Sequence, residues 1–341
     1  MTVRFSAIGF AHSHIYGQVS TLLEAGAELV SFYDDEEHRI AEFQGKFPQA
    51  QRAESIEQIL EDESIDVIAS ADIPHKRAPL GIRAMNHGKD FFSDKPGFAT
   101  MAQLEEVRQL HKKTGRFYTV FFSEHYHNKA TTKAGELVHS GAIGQVVQTV
   151  GFGPHRLLGH IERPDWTFQR EAFGGIINDL ASHQMDQFLY FTGSTSAEVI
   201  ASNVGNFKHN QFPRIHDFGD VIVRSDHATG YVRVDWMTPK GLDTWGDVRL
   251  FILGTEGYIE LRKNIDIAGH TGTDHLFMVN QEGTQYIDCS DVKLPFGEQY
   301  LADIVNRTQT AMPQAHGFLA SELALRAEEM AFNLTPEYGG K

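Results

Sequence analysis

Between residues 3 and 122 short β-rich runs alternate with helical patterns, and no other feature restricts the possible folds of this chain as strongly. A strand, a helix and a second strand pack together as a parallel βαβ unit, so repeated alternation implies a doubly wound sheet with helices on both faces. VRFSAI at 3–8, AELVSFY at 27–33 and IDVIASA at 65–71 read as strands, the third continuous and apolar as a strand buried on both faces should be. KDFFSD and RFYTVFF supply further strands. Helical patterns cover 14–25, 36–45, 78–87 and MAQLEEVRQLHKKTG, which Gly115 stops.

Beyond residue 122 the rhythm changes. A helix over 128–140 is closed by Gly141, and then QVVQTVGFG, AEVIASNVG, DVIVRS, GYVRVDW and DVRLFIL follow with turn residues and few helices between them. One strong helix over 177–191 interrupts them, and two more close the chain near 298–311 and 317–332. At 341 residues the chain is long enough for two domains. The expected fold class is α/β: a Rossmann-like doubly wound parallel sheet over 1–122, then an α+β domain over 123–341 with a large, mostly antiparallel open sheet. Strands that alternate or run apolar with too few helices to cover both faces predict a homodimer or homotetramer formed through that sheet.

Charge excludes one class of partner. Lys plus Arg number 30 against 45 Asp plus Glu, a formal net charge of −15, which repels a phosphate backbone and argues against nucleic acid. Cysteine occurs once, at Cys289, so no intrachain disulfide forms. The start MTVRFSAIGFAHSH is broken by Gly9, His12 and His14, and no apolar run approaches the ~18 residues of a membrane span. A cytoplasmic protein without membrane partners is expected.

The first strand runs into Gly9-Phe10-Ala11-His12-Ser13-His14, where a dinucleotide-binding turn carries G-x-G-x-x-G. Only the first glycine is present. Ala11 adds a methyl at the second position and His14 stands at the third, so the motif is shared with any tight βα turn. About 20 residues beyond the turn, at the end of the second strand, Asp34 and Asp35 offer acceptors for the adenosine ribose hydroxyls. They also suit a solvated helix start. With Glu36 and Glu37 following and no arginine before Arg39, NAD is favoured over NADP. Lys95 in Ser93-Asp94-Lys95-Pro96 lies at a strand's carboxyl end, where open α/β sheets bind ligands. Elsewhere such a residue is an ordinary surface lysine.

The segment Phe173-Gly174-Gly175-Ile176-Ile177-Asn178-Asp179-Leu180-Ala181-Ser182-His183-Gln184-Met185-Asp186 places Asp179, His183 and Asp186 on one helical face at i, i+4 and i+7. An acid beside a histidine orients the imidazole and raises its basicity, as a general base requires. The same face suits a structural histidine, or Zn²⁺ or Mn²⁺. No HExxH or paired-histidine spacing occurs, and no metal is expected. His12, His14, His75, His125, His127, His155 and His160 fall near strand ends or in loops and are expected in part to line a polar pocket. Trp166 and Phe168 suit either a sugar ring or a core.

Taken in order, these residues resemble the Gfo/Idh/MocA family (glucose–fructose oxidoreductase and inositol dehydrogenase) over nearly the whole chain. The resemblance rests on the Rossmann-like start, Ile73-Pro74 after the third strand, Asp94-Lys95-Pro96 where the family has Glu-Lys-Pro, Gly141-Ala142-Ile143-Gly144, and Gly174-Gly175…Asp179…His183…Asp186. It implies NAD-dependent hydride transfer between nicotinamide and a hydroxyl or keto carbon of a sugar, sugar derivative or cyclitol. By the same resemblance Lys95 bonds the reacting oxygen, His183 is the acid/base and Asp179 positions substrate or histidine, with Lys95 and His183 serving one site. Candidate cofactor contacts are Gly9, Phe10, Ala11, His12, His14, Asp34, Asp35, Ile73, Pro74, Asp94, Lys95 and Pro96. Candidate substrate contacts are His125, Tyr126, His155, Trp166, Asp179 and His183. Two other activities fit the same residues: redox-neutral elimination or glycoside cleavage through transient oxidation, and a non-catalytic cofactor-binding sensor.

Overall fold

The computed structural model describes residues 2–159 and 162–335. By its contacts the chain forms two units, one of residues 1–121 and 295–318 and one of residues 122–294 and 319–341.

The first unit is a six-stranded parallel sheet of β1 (Arg4–Ile8), β2 (Glu28–Tyr33), β3 (Gln51–Arg52), β4 (Val67–Ser70), β5 (Asp90–Asp94) and β6 (Tyr118–Phe121), in the order β3-β2-β1-β4-β5-β6. That order reverses at β1, which puts the carboxyl ends of β1 and β4 at the topological switch point. Every residue of β4 and β5 is buried, as helices on both sides of a parallel sheet require. The helix expected from residue 78 starts earlier, as Pro74–Asn86, because a proline at the first helical position has its φ already set and no amide to leave unpaired. Helix Met101–Thr114 is capped by the Thr100 hydroxyl at its start and by left-handed Gly115, φ +68°, at its end.

The domain boundary in the sequence is not the one in space. Segment Pro295–Phe318, expected in the second domain, belongs to the first unit. The cause is aromatic packing: Phe296 and Tyr300 of helix Phe296–Asn306 lie against Phe92 and Phe121, with ring centroids 5.0 to 6.0 Å apart. The Arg307 guanidinium then closes on the Asp90 carboxylate and on the Gly115 carbonyl.

The second unit is a nine-stranded sheet of β7 (Val146–Pro154), β8 (Glu198–Gly205), β9 (Phe218–Arg224), β10 (Thr229–Asp235), β11 (Arg249–Gly254), β12 (Gly257–Arg262), β13 (His275–Asn280), β14 (Gly283–Ile287) and β15 (Phe332–Asn333). Its order is β14-β13-β12-β11-β7-β10-β9-β8-β15. All neighbours are antiparallel except β7 with β10 and β8 with β15. Helices Lys129–His139 and Ser182–Thr192 lie on one face, where Ala130, Ala134, Phe191, Leu250, Ile252, Ile259 and Leu261 form a core. The opposite face carries Ile222, Phe251, Leu253, Tyr258 and Phe277, interleaved with Arg249, Glu260 and Arg262. The fold class is the one expected from the sequence.

The helix expected as a single span over 177–191 has two parts, a π-helical turn Ile177–Ala181 and the α-helix Ser182–Thr192. A wide turn moves each later side chain around the axis relative to an α-helix, so a face drawn at i, i+4 and i+7 does not hold across it.

Candidate functional site

The candidate site residues fall into two groups, one in each unit. In the first unit they gather at the carboxyl ends of β1, β2, β4 and β5. Gly9 has φ +78°, and a Cβ there would lie 2.6 Å from that of Asp72, so only glycine fits. The Phe10 amide donates to Asp34 Oδ2 at 2.6 Å, while Asp34 Oδ1 accepts from the Glu36 amide and from Arg39 Nε, at 2.9 and 2.7 Å. Asp34 thus fastens the end of β2 to the turn after β1. Arg39, the first arginine after the acidic run, rests on that carboxylate. Asp35 is exposed and accepts from the Tyr33 hydroxyl. Ile73 donates its amide to Asp72 Oδ1, and Pro74 begins the next helix.

The third glycine position is filled by His14 without spoiling the packing of helix His14–Glu24. The imidazole turns away from the helix–strand contact, and its Nδ1–H donates to Asp94 Oδ1 at 2.9 Å. The His14 amide donates to His12 Nδ1, which places the His12 proton on Nε2. Burial, with the neighbouring His14 charge, lowers the His12 pKa well below that of a free imidazole, so His12 is neutral. His12, His14 and Asp94 lie close enough to share one cation. The Arg77 guanidinium, however, stands 3.0 Å from Asp94 Oδ2 with both side chains fully buried, so this carboxylate already has its countercharge.

Arg77 organises the whole strand end. Its Nε donates to the Asp72 carbonyl at 2.6 Å and its Nη1 to the carbonyls of Lys95 and Pro96 at 2.5 and 3.1 Å. Asp94 is one methylene shorter than glutamate, and the long arginine reaches across to meet it. Burial would raise the Asp94 pKa, but the His14 and Arg77 charges overcome it and hold the carboxyl far below the usual range. Lys95, itself buried, follows directly and joins Pro96 by a cis peptide. The sequence carried one sign of Arg77: a cation at i−3, i−4 and i−7 to Leu80, Gly81 and Ala84, on the buried face of its helix.

In the second unit the wide turn Ile177–Ala181 carries Asp179, and the helix after it carries His183. A carboxylate from far along the chain caps that turn. Glu328 Oε2 accepts from the Ile177 amide at 2.9 Å, and Oε1 accepts from Arg170. Gly175 has φ +95°, and its Cβ would fall 2.1 Å from the Glu328 carboxyl carbon, which explains a glycine there. Burial raises the Glu328 pKa despite Arg170.

His183 is buried, and its Nε2 lies 4.0 Å from Glu124 Oε1. Asp186, expected beside it, directs its carboxylate to His125 Nδ1 at 2.9 Å and to the Tyr126 hydroxyl at 3.5 Å. His125, an expected substrate contact, is buried and packs between Tyr126 and Tyr190, each centroid 4.1 Å away. His155 donates from Nδ1 to the Gly153 carbonyl and packs against Trp236 and Trp245. Trp166 sits in the short 3₁₀ helix Asp165–Phe168. Phe168 stacks on Phe212, 4.0 Å between centroids. The Asp179 charge bears on the half-buried Arg163, whose guanidinium lies over the Trp236 ring. His160 lies outside the described residues. Glu124, Lys263 and Glu328 went unseen in the sequence, where each is one acid or base among many.

A dinucleotide fits the first group on its geometry: the backbone crosses the switch point at Gly9 without a side chain, and a carboxylate stands at the end of β2. Comparison with known proteins agrees. Residues 6–122 match the oxidoreductase family described by its NAD-binding Rossmann fold, and residues 131–260 match the Gfo/Idh/MocA C-terminal domain. A crystal structure from Erwinia carotovora atroseptica SCRI1043 superposes at TM-score 0.94, with 44% identity, over 98% of this chain and 100% of that one. The scyllo-inositol 2-dehydrogenase (NAD(+)) of Bacillus subtilis (strain 168) is 24% identical over 309 residues, 89% of this chain and 84% of that protein. A levoglucosan dehydrogenase solved with NADH and levoglucosan shares the fold at TM-score 0.78 and 18% identity, over 97% of each chain.

Asp94→Asn tests the buried pair. It leaves the Arg77 charge without its anion, and the variant is expected to lose about 3–5 kcal/mol in urea denaturation at pH 7. Because the folded-state pKa of Asp94 is depressed, its contribution is complete above about pH 4 and fades as pH falls toward that lowered pKa. The gap between wild type and variant should therefore be flat from pH 5 to 8 and narrow only in acid.

Proposed function

Since the chain belongs to the Gfo/Idh/MocA family of oxidoreductases, we propose that it is an NAD-dependent dehydrogenase acting on a hydroxyl carbon of a sugar, sugar derivative or cyclitol. The observation that carries this reading is the strand end at β5, where Arg77 holds both carbonyls around a buried Lys95. A lysine held so firmly by its backbone is suited to stabilising charge on one substrate atom.

In this reading His183 takes the proton of the substrate hydroxyl and Lys95 stabilises the alkoxide as it forms. The nicotinamide, when bound, accepts hydride from the carbinol carbon. In reduction the same two side chains give the proton and the hydrogen bond back to the carbonyl oxygen. Asp179 positions the substrate beside His183. Gly9, Ala11, His12, His14, Asp34 and Ile73 would hold the dinucleotide, and the free amides at the start of helix His14–Glu24 would supply donors to an anion. Copies of the chain associate through the face of the large sheet that bears Ile222, Leu253 and Tyr258, since an apolar face of that extent is costly to leave in water.

A panel of polyols and free sugars with NAD, followed by NADH absorbance, is expected to find a substrate. With it, Lys95→Ala and His183→Ala should each lower turnover about a hundredfold or more, while calorimetric NAD affinity stays within about tenfold. Wild type that binds no NAD would defeat the reading outright. NAD should bind more tightly than NADP, because Asp34 repels a 2′-phosphate. Asp34→Ser should narrow that difference, since it removes the carboxylate and releases Arg39 toward the phosphate; NADP binding as tight as NAD in wild type would count against the assignment. Light scattering at micromolar concentration should give a multiple of 38.2 kDa, and a monomer mass would rule out association through the sheet.

A further inference from the structure

Glu124 is a buried carboxylate with no part in the chemistry above, yet the residues around it are arranged as a mount. It stands in the short helix Ser123–Tyr126 that follows β6, its side chain only 10% exposed. Gln184 Nε2 donates to its Oε2 at 2.9 Å, and Lys263 Nζ lies 3.7 Å from the same oxygen. Lys263, buried just beyond β12, also donates to the Glu124 carbonyl at 2.7 Å and to Gln187 Oε1 at 2.5 Å. Gln187 in turn donates from Nε2 to the His183 carbonyl at 2.8 Å. With Oε2 held in this way, Oε1 is the oxygen presented to His183 Nε2, 4.0 Å away.

We propose that Glu124 is a positioning residue for His183: held by Gln184 and Lys263, its carboxylate favours the protonated imidazole and fixes which ring nitrogen faces it. The inference rests on the reading of His183 as the acid/base. An anion about 4 Å from an imidazole, out of water, stabilises the imidazolium and raises its pKa. A lone carboxylate buried there would take up a proton and lose that effect. Lys263 prevents it. Burial pulls the Lys263 pKa down to about 8, with Glu124, Asp186 and Asp274 opposing, so the ammonium persists through neutral pH. Around this cluster stand Glu124 in the short helix, Lys263 after β12, Asp274 before β13 and Asp186 on the helix of His183, with His125 on Asp186.

The test reads the imidazole directly. In the full chain labelled with ring-¹³C,¹⁵N histidine, the His183 resonance is assigned by its loss in His183→Gln and titrated from pH 5 to 9. Glu124→Gln is expected to lower its midpoint by about one pH unit or more. Glu124→Asp, which keeps the charge, should recover part of that shift. A midpoint unchanged in folded Glu124→Gln overturns the proposal. Should that variant fail to fold around an unpaired Lys263, Glu124→Gln/Lys263→Met is read against Lys263→Met, which cancels the effect of losing the cation, and equal midpoints in those two variants are equally decisive. No substrate enters the measurement. A shifted midpoint with no dehydrogenase activity on any polyol would sink the functional reading alone.

Discussion

A buried arginine holds the strand ends of the first unit together. Arg77 can lie out of water only because its donors are met by the carbonyls of Asp72, Lys95 and Pro96 and its charge by Asp94. The consequences pass outward from there. Asp94, pinned on one oxygen, uses the other to orient the His14 ring, and the His14 amide fixes the tautomer of His12. One charge thereby sets the ends of β4 and β5 and the turn after β1. The eroded glycine motif is tolerable for this reason. The third position needs only that nothing intrude between helix and strand, and Asp94 draws the His14 side chain elsewhere.

The second unit solves a similar problem with acids. The π turn that bears Asp179 has backbone donors to satisfy at its start, and Glu328 satisfies the first of them from the far end of the chain. Its carboxylate occupies the space a side chain at Gly175 would need. Glu124, with Lys263 as its counter-ion, stands 4.0 Å from the His183 imidazole. Asp186 serves the interior, tying His125 between two tyrosines. Three carboxylates of the same element neighbourhood thus have three separate duties, set by what each can reach.

Much of this was legible in the sequence, because the signals involved are local. Strands β1, β2, β4 and β5 follow from β-rich runs six or seven residues long, and Gly115 marks the end of one helix by its own conformational preference. Gly9, Asp34, Lys95, Asp179 and His183 were visible as residue types at telling places. Their partners were not. Glu124 and Lys263 are 139 positions apart, Ile177 and Glu328 are 151, and nothing in either neighbourhood distinguishes these charges from solvated ones. The π turn escaped because one extra residue in a turn leaves the apolar pattern around it nearly unaltered.

The sequence by itself determined the layers: a parallel α/β sheet first, a mostly antiparallel sheet after it, and the strand ends and helix on which the candidate residues sit. Side-chain periodicity is a property of each segment alone, so it survives without knowledge of neighbours. Tertiary structure alone decided which acid serves which base, where segment Pro295–Phe318 packs, and that His125 is interior. Those outcomes depend on burial, where a charge or an aromatic ring must find its partner within a few ångströms or not be buried at all, and distance in space is not written in distance along the chain.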